Sequence, residues 1–317
     1  MNAPSTRVQR RPVHGVLLLD KPLGWSSNQA LQKAKWLLRA EKAGHTGTLD
    51  PLATGVLPIC LGAATKFSQI HLDADKVYET TVRLGITTTT GDREGESLQT
   101  RPVQCTAGQV VEVLDQFMGA QSQLPPMHSA LKHDGKALYE YARQGQTIER
   151  TPRAIVIHAL DLLDMDLTGA EPHLRLRVHC SKGTYIRTLG EDIAQALGCG
   201  GHLSALRRVK TGPFEQSQAL TIEQLEGLSD DQRRQALLPV SALLPAHASV
   251  VLGAEDAGRF LTGLRRRGSW PDSESVTVWA DQPNSFLGTA HIKAGELIPE
   301  RLLTPIEIQT ILESTSS

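Results

Sequence analysis

Asp50 is the residue whose setting in this sequence most clearly predicts chemistry. It lies in a loop over residues 44–55 that is rich in glycine and threonine, and this loop leads directly into the apolar residues 56–61. An isolated Asp-Pro pair is usually a turn or a cap, but a carboxylate beside apolar residues is poorly hydrated. Because an uncompensated buried charge costs about 3–5 kcal/mol, we expect a cationic partner. A carboxylate paired in this way can act as a nucleophile or a general base.

Templates for other kinds of catalytic site are missing from the sequence. It contains neither a G-x-x-x-x-G-K-[ST] phosphate loop nor a G-x-S-x-G nucleophile turn. No pair of cysteines has the C-x-x-C spacing, and no pair of histidines completes a zinc-binding spacing. The four cysteines are Cys60, Cys105, Cys180 and Cys199.

The composition is that of a globular protein and leaves the type of partner open. Of 317 residues, 40% are hydrophobic and 21% are charged, and the net charge is −1. A nucleic-acid-binding protein needs a basic surface where the phosphates lie, not a basic total. Any single basic cluster is more simply explained as a solvated face. The clusters are Arg7-Arg10-Arg11, Lys33-Lys35-Arg39-Lys42, Arg143-Arg150-Arg153, Arg207-Arg208-Lys210 and Arg265-Arg266-Arg267.

The N-terminus and the apolar runs bear on cellular location. The first residues, MNAPSTRVQRRP, are charged but have no apolar segment, so we expect no secretory signal in them. No apolar run is long enough to cross a bilayer. We therefore expect a cytoplasmic protein with reduced thiols, and a disordered basic segment over residues 1–12.

Alternation and apolar runs predict the strands that must position Asp50. Residues 13–19 form a short apolar run closed by a turn, and residues 77–86 and 173–180 alternate between apolar and polar side chains. After about residue 250 the sequence changes to short runs separated by turns, which indicates a small β unit. We place a domain boundary near residues 246–249, giving domains over residues 13–248 and 249–317.

Helical spacing predicts elements that flank these strands. After Ser26, the side chains of Leu31, Ala34 and Leu38 share one face, and the nearby lysines and arginines fall largely outside it. This helix is therefore expected to present a basic face. A second helix contains Ile186, Leu189, Ile193 and Leu197 and should end at Gly198, and further helices are predicted over residues 109–118, 137–143 and 220–244.

Several motifs, in order, resemble those of the TruB family of tRNA pseudouridine synthases. Residues 44–62, GHTGTLDPLATGVLPICLG, resemble the catalytic motif of the family, and residues 180–189, CSKGTYIRTL, its arginine motif. The resemblance also covers residues 15–28, 75–79, 124–143 and 202–208, so it extends over most of residues 13–210.

The resemblance implies a fold, a reaction and a set of partners. The fold would be α+β: a mixed, largely antiparallel sheet with flanking helices, an RNA-binding insertion over residues 124–153, and a small PUA-like C-terminal β domain. The activity would be isomerisation of uridine 55 in the T-loop of tRNA to pseudouridine. Neither cofactor nor metal is expected, because the isomerisation involves no redox change and activates no water. The enzyme would be a monomer that works without a guide RNA.

The same resemblance assigns roles to individual residues. Asp50 would attack the target uridine, Tyr78 would stack on the flipped base and help remove the proton from its C5, and Arg187 would pair with Asp50. From position alone, Tyr78 could equally be a core tyrosine, and Arg187 would be interpreted as a surface residue at the start of a helix. Leu206 would close the apolar side of the pocket, and His45 would fill the gap that the extruded base leaves in the RNA. The residues assigned to substrate binding are His45, Lys21, Lys66, Tyr185 and Leu206.

Some positions depart from the family pattern, and two rival functions are considered. Thr89, His128 and Trp25 differ from the residues expected there, in places that bear on RNA contacts and not on the catalytic roles. One rival is a protein that binds and folds tRNA without modifying it. The other is the guide-RNA-dependent branch of the same superfamily, which the insertion over residues 124–153 disfavours.

Overall fold

Two β-sheets organise the protein in the computed structural model, which describes residues 9–244 and 248–315. The larger sheet belongs to the part before residue 244, and the smaller sheet belongs to the part after residue 248. Strands of the first part are β1 (Gly15–Lys21), β2 (Ala43–His45), β3 (Ala53–Leu61), β4 (Lys76–Leu84), β5 (Ile86–Thr88), β6 (Ser97–Thr100), β7 (Gly119–Gln123), β8 (Lys132–His133), β9 (Lys136–Ala137), β10 (Arg153–Asp166), β11 (His173–Cys180), β12 (Gly201–Thr211) and β13 (Phe214–Glu215).

Helices and short 3-10 turns pack on both faces of the larger sheet. They are α1 (Ser27–Leu37), α2 (Ser68–Leu72), α3 (Ala107–Gln116), α4 (Leu138–Ala142), α5 (Ile186–Ala196), α6 (Ile222–Gly227) and α7 (Asp230–Gln235), together with short 3-10 turns at Gly62–Lys66, Gln216–Gln218 and Val240–Leu243. Apolar side chains of α1, α3, α5 and α6 pack on those of the sheet in one buried cluster.

The larger sheet is mixed but mainly antiparallel, as predicted. Its strand order is β1-β3-β12-β4-β11-β10-β7, with β2 paired to β3 and β13 paired to β12. The pairing of β3 with β12 is parallel, and the other neighbours along this path run antiparallel. The last long strand of this part, β12, therefore lies in the middle of the sheet. Its two neighbours are β3, which follows the Asp50 loop, and β4, which contains Tyr78.

Local sequence accounts for the elements nearest the site. Helix α1 begins at Ser26 with a capping box, in which the Gln29 amide N–H donates to Ser26 Oγ (3.2 Å) and the Ser26 amide donates to Gln29 Oε1 (2.8 Å). In β11 the inward residues Leu174, Leu176 and Val178 are buried, which confirms the predicted alternation. Helix α5 gives way to Gly198, which adopts a left-handed φ of +82°, also as predicted.

The predicted helix over residues 220–244 is instead divided. Helix α6 ends near Gly227, Leu228 is extended, and α7 begins with a second capping box at Ser229. The acidic, polar composition of residues 220–244 is compatible with one continuous helix. However, the Ser229 hydroxyl accepts from the Gln232 amide and the Gln232 side chain accepts from the Ser229 amide, and this capping box starts a separate helix. The expected strand over residues 77–86 similarly ends at Leu84, because Gly85 takes a left-handed φ of +84°.

The C-terminal part is a small β unit, as expected. Its sheet has the order β14-β16-β17-β18-β15, and α8 packs on it through Ala257 and Phe260. Phe286 also contacts Phe67 of the first part, with ring centroids 5.4 Å apart, so the two parts share an apolar boundary. Its elements are β14 (Ala248–Leu252), α8 (Ala254–Leu261), β15 (Arg266–Arg267), β16 (Ser273–Ala280), β17 (Ser285–Lys293), β18 (Glu296–Leu302) and α9 (Pro305–Thr315).

The predicted disordered segment over residues 1–12 lies largely outside the described residues. Arg11, which the prediction included, exchanges main-chain hydrogen bonds with Arg39 and Glu41. Among the helices of residues 9–244 and 248–315, none is long and apolar enough to cross a membrane.

Lys66 connects the two parts of the protein. Its ammonium contacts Glu307 Oε2 at 2.6 Å and the Leu302 carbonyl at 3.0 Å, and the two charged side chains are only 29% and 19% exposed. We expect Lys66→Met to lower the free energy of unfolding by about 1–2 kcal/mol, because it leaves a shielded carboxylate without its cation. Urea denaturation followed by tryptophan fluorescence measures this change.

Lys182→Met is the matched control for this variant. Lys182 pairs with Asp73 at 2.8 Å, but both side chains are about 60% exposed. Exposed ion pairs contribute about 0–1 kcal/mol, so this variant should have much the smaller effect. Equal destabilisation by the two substitutions would show that the Lys66 contact does not stabilise the boundary.

Candidate active site

The Asp50 loop is held against the core, between β2 and β3. The hydroxyl of Ser27, in the first turn of α1, accepts from the Leu49 amide at 2.8 Å and donates to the Leu49 carbonyl at 2.9 Å. The Thr46 amide donates to the Pro58 carbonyl at 3.1 Å. Leu49 and Leu52, on either side of the carboxylate, are buried. This confirms that the glycine- and threonine-rich segment packs on the core and is not a free loop.

Arg187 supplies the cation that Asp50 requires. Its Nε lies 3.0 Å from Asp50 Oδ2, and its side chain is only 5% exposed. Its other nitrogens donate to the carbonyl oxygens of Thr90 (3.0 Å) and His128 (2.5 Å), and one lies 3.7 Å from Asp92 Oδ2. The guanidinium thus joins the first turn of α5 to three separate loops.

The electrostatic setting of Asp50 combines opposing effects. Burial raises the pKa of the Asp50 carboxyl, Arg187 opposes that rise, the nearby Asp92 adds to it, and Lys21 opposes it. Other residues of the chain surround the carboxyl, yet 38% of the Asp50 side chain is exposed to solvent. The carboxylate is therefore oriented by a buried cation while one side of it is accessible to a substrate.

Lys21 is a buried cation at the end of β1. Its side chain is fully enclosed, and its ammonium donates to the carbonyl oxygens of Trp25 (2.5 Å) and Pro22 (3.0 Å). Burial lowers the pKa of Lys21 to about 8, against the opposing charge of Asp50. The structure therefore brings Lys21 into the electrostatic environment of the carboxylate.

Two tyrosines are also close enough for the charge of Asp50 to act on them. Tyr78, on β4, is half-buried; burial raises its pKa, and a hydrogen bond with Arg208 opposes the rise. Tyr185 precedes α5, and burial raises the pKa of its phenol as well. The Gln123 side chain holds the Tyr185 main chain from both sides, accepting from its N–H (2.8 Å) and donating to its C=O (3.1 Å).

Of the three other predicted binding residues, Leu206 and His45 lie on strands beside the Asp50 loop, whereas Lys66 does not. Leu206, on β12, is buried and borders, with Leu52, a cleft of about 310 Å³. His45 ends β2; burial lowers its pKa, and its Nδ1 is enclosed with no hydrogen-bond partner among the described residues. Lys66 is not brought to this site, because its ammonium binds the C-terminal part at Glu307.

Arg208 and Asp92 are site residues that the sequence analysis missed. Arg208 is 1% exposed, and it donates from Nε to the Val56 carbonyl (2.8 Å) and from a terminal nitrogen to the Gly47 carbonyl (3.1 Å). Gly55 must be glycine here, since a Cβ would lie 2.2 Å from the Arg208 carbonyl oxygen. The basic cluster at Arg208 suggested a solvated face, but its spacing of two from buried Leu206 was a signal that both share one face of the strand.

The departures from the family pattern are accommodated by the main chain. His128 and Trp25 contribute carbonyl oxygens, to Arg187 and Lys21 respectively, so their side-chain types do not alter those contacts. The Thr89 hydroxyl accepts from the Glu96 amide at 3.1 Å and closes its turn locally.

Comparison with known proteins decides the family. Family profiles match consecutive parts of the chain: the TruB family pseudouridylate synthase N-terminal domain over residues 35–186, the tRNA pseudouridylate synthase B C-terminal domain over residues 187–245, and the pseudouridine synthase II TruB C-terminal region over residues 248–303. The tRNA pseudouridine synthase B of Verminephrobacter eiseniae is 58% identical over 315 residues, which cover 98% of this chain and 95% of that relative. The chain belongs to the TruB family. It is therefore a pseudouridine synthase, an isomerase.

Other similar proteins agree with this assignment to the TruB family. The tRNA pseudouridine synthase B of Ralstonia nicotianae is 58% identical, with 93% of this chain and 95% of that relative covered. Among solved structures, a chain of a Cbf5–Nop10–Gar1 complex aligns with a TM-score of 0.69 at 24% identity, covering 97% of this chain and 89% of that one. A chain of an H/ACA RNP bound to a substrate RNA containing 2′-deoxyuridine gives a TM-score of 0.67 at 22% identity, covering 92% and 86%. These structures confirm the predicted fold class.

The charges around Asp50 predict how activity of this TruB-family enzyme depends on pH. Because burial raises the pKa of Asp50, its carboxyl becomes protonated at a higher pH than that of an ordinary aspartate as the solution is acidified. We expect Asp92→Asn to move the acidic limb of the kcat/KM profile to lower pH, because it removes a like charge. The variant retains Oδ1, which accepts from the Thr90 hydroxyl and the Glu94 amide.

Lys21→Met provides the opposite test. It removes a cation that lowers the pKa of Asp50, so the acidic limb should move to higher pH. The kcat/KM profile is the right measurement because it reports the ionisation of the free enzyme. Shifts of the two variants in the same direction would show that the limb does not belong to Asp50.

Proposed function

We propose that this enzyme converts uridine 55 in the T-loop of tRNA to pseudouridine, with Asp50 as its essential carboxylate. The observation that supports this most strongly is the contact of Asp50 with the buried Arg187, beside Tyr78, in a chain of the TruB family. The relatives named above are tRNA pseudouridine synthases, which favours tRNA as the substrate of this chain.

The target base must leave its stack before it can reach Asp50. Extruding a base costs a few kcal/mol, which is approximately the energy of one base–aromatic stack. Tyr78 is proposed to provide that stack, while Leu206 and Leu52 form the apolar side of the pocket. His45, at the edge of the site, is proposed to occupy the gap left in the RNA, and Tyr185 to border the bound nucleotide.

The reaction requires Asp50 as an anion. The bond from the sugar C1′ to N1 of the base breaks, the base turns, a bond from C1′ to C5 forms, and the proton of C5 is replaced by one on N1. In this proposal the carboxylate of Asp50 attacks the uridine, and Arg187 keeps it oriented and ionised against the effect of burial. Atoms balance without oxidant, reductant or water, so no cofactor enters the proposed mechanism.

Tyr78 is proposed to act in its neutral form. Burial raises the pKa of its phenol, so the hydroxyl is protonated at neutral pH. A neutral phenol can take the C5 proton only while it gives its own proton to a base. Asp50 is the anion whose charge acts on Tyr78, and it can accept that proton once it is released from the nucleotide.

Binding of the tRNA backbone is proposed to involve the insertion over residues 124–153 more than helix α1. Lys33 of α1 already pairs with Glu226 at 2.5 Å, and Arg39, just after α1, pairs with Asp230 at 3.7 Å. Acidic residues of α6 and α7 therefore compete with phosphate there. In the insertion, Arg143 stacks over Tyr139 at 5.3 Å and has no acidic partner among the described residues. Such an arginine is suited to phosphate or base contacts.

The enzyme is proposed to act as a cytoplasmic monomer without a guide RNA. The high identity to relatives named tRNA pseudouridine synthase B favours this over the H/ACA-type assemblies, with which the chain shares its fold at 20–24% identity. A purely tRNA-binding role is the alternative, and it is disfavoured by the paired Asp50 and Arg187.

The first test uses an unmodified tRNA transcript labelled with tritium at uridine C5, with no other RNA present. We expect the native chain to release tritium from position 55, and Asp50→Asn to release it at least about 1,000-fold more slowly, because no other group replaces the carboxylate. Filter binding should show that the variant retains its affinity for tRNA. Tight binding by the native chain without release would favour the tRNA-binding alternative.

A second test separates the ring of Tyr78 from its hydroxyl. Tyr78→Leu should lose both stacking and proton transfer, whereas Tyr78→Phe should lose only the hydroxyl and the hydrogen bond to Arg208. Since one base–aromatic stack is worth about 1–3 kcal/mol, base extrusion should weaken in Tyr78→Leu only. Fluorescence of a 2-aminopurine placed next to uridine 55 reports extrusion, and tritium release reports chemistry. Normal extrusion in Tyr78→Leu would exclude the stacking role.

A further inference from the structure

Among the described residues, three potential metal ligands meet on the outer face of the larger sheet. They are Asp75, which precedes β4, His158 of β10 and His179 of β11. Asp75 Oδ2 lies 3.3 Å from His158 Nε2 and 3.9 Å from His179 Nε2. The three ligand atoms all lie within 4.8 Å of one another.

The sheet itself brings these side chains together. His179 is opposite Val77 of β4 on one side and Ala159 of β10 on the other. A bulge in β10 inserts His158 between Ile157 and Ala159, so two residues of β10 oppose the single His179. Bulges commonly redirect a side chain in this way. The two imidazole rings consequently lie with their centroids 4.8 Å apart.

We propose that Asp75, His158 and His179 bind a divalent transition-metal cation of the zinc class. Zinc binds imidazole nitrogen and carboxylate oxygen at about 2.0–2.2 Å, so neighbouring ligand atoms of a tetrahedral site lie about 3.3 Å apart. The contact of Asp75 with His158 already has that length, and the contact with His179 is slightly longer. Rotation of the partly exposed imidazoles closes the remaining distance, and water completes the shell.

The ligand types select among cations. Two imidazoles and one carboxylate suit zinc, nickel, cobalt or copper, whereas calcium and magnesium prefer shells made of oxygen alone. The side chains of Asp75, His158 and His179 are 48%, 36% and 43% exposed, so an ion in solution has direct access to them.

The site is separate from the active site and does not rest on the proposed function. Successive side chains of a strand point to opposite faces. Val77, which is opposite His179, is one residue before Tyr78, and Asp75 is three residues before it. The cluster therefore lies on the face away from the Tyr78 phenol. A bound ion would join the start of β4 to the β10–β11 pair. Because it would bind the folded chain in preference to the unfolded chain, it would raise the Tm.

The test is zinc titration of the metal-free native chain at pH 7.5 by calorimetry, with Co²⁺ absorption to report the ligand geometry. We expect one strong site in the native chain, at least about tenfold weaker binding in the double variant His158→Gln/His179→Gln, and a zinc-dependent rise in Tm that the double variant lacks. Asp75→Asn should weaken binding in the same direction. Circular dichroism in EDTA checks that each variant is folded.

His291→Gln is the matched control. His291 pairs with Glu300 at 3.0 Å on the C-terminal sheet and is similarly exposed, and no second histidine belongs to that pair in the described part of the chain. It should leave zinc affinity and the rise in Tm unchanged. Equal affinity of the native chain and a folded double variant, or an equal loss in His291→Gln, would overturn the proposal.

Discussion

The contact between Arg187 and Asp50 is the interaction on which the active site depends. A guanidinium has five donor hydrogens in a fixed plane. Here they reach the Asp50 carboxylate and the carbonyl oxygens of Thr90 and His128, and the Asp92 carboxylate lies 3.7 Å away. A buried cation is costly unless its charge and its donors are satisfied. The loops therefore pack around Arg187, and the position of the Asp50 carboxylate follows from that packing.

Two further buried cations extend the same principle. Arg208 holds the Asp50 loop through the Gly47 carbonyl and β3 through the Val56 carbonyl, and Lys21 is enclosed at the end of β1. Both are fixed by main-chain oxygens, which cannot be removed by substitution of a side chain. The positive charges of Arg187 and Lys21 oppose the effect of burial, which raises the pKa of the Asp50 carboxyl.

Local patterns predicted the features that depend on local sequence. The unusual setting of Asp50, its need for a cation, the alternation of β11 and the stop at Gly198 are each determined by residues within a few positions of one another. The burial of Arg208 is different, because it results from pairing β12 with β3 and β4, strands more than 100 residues earlier in the chain. From composition alone, Arg208 was part of a basic cluster. No residue near it in the sequence indicated that it would bind the carbonyl oxygens of Val56 and Gly47. Lys66 was assigned to the site from the family resemblance, whereas its ammonium contacts Glu307 of the C-terminal part.

The central position of β12 has a consequence for synthesis of the protein on the ribosome. Strands β3 and β4 are not neighbours; each is hydrogen-bonded to β12, which is translated last of the three. A nascent chain that ends before Gly201 therefore contains the Asp50 loop and the Tyr78 strand but lacks β12, the strand that joins β3 to β4. Sheets with such non-local pairing form slowly, so the catalytic pocket is assembled late in translation.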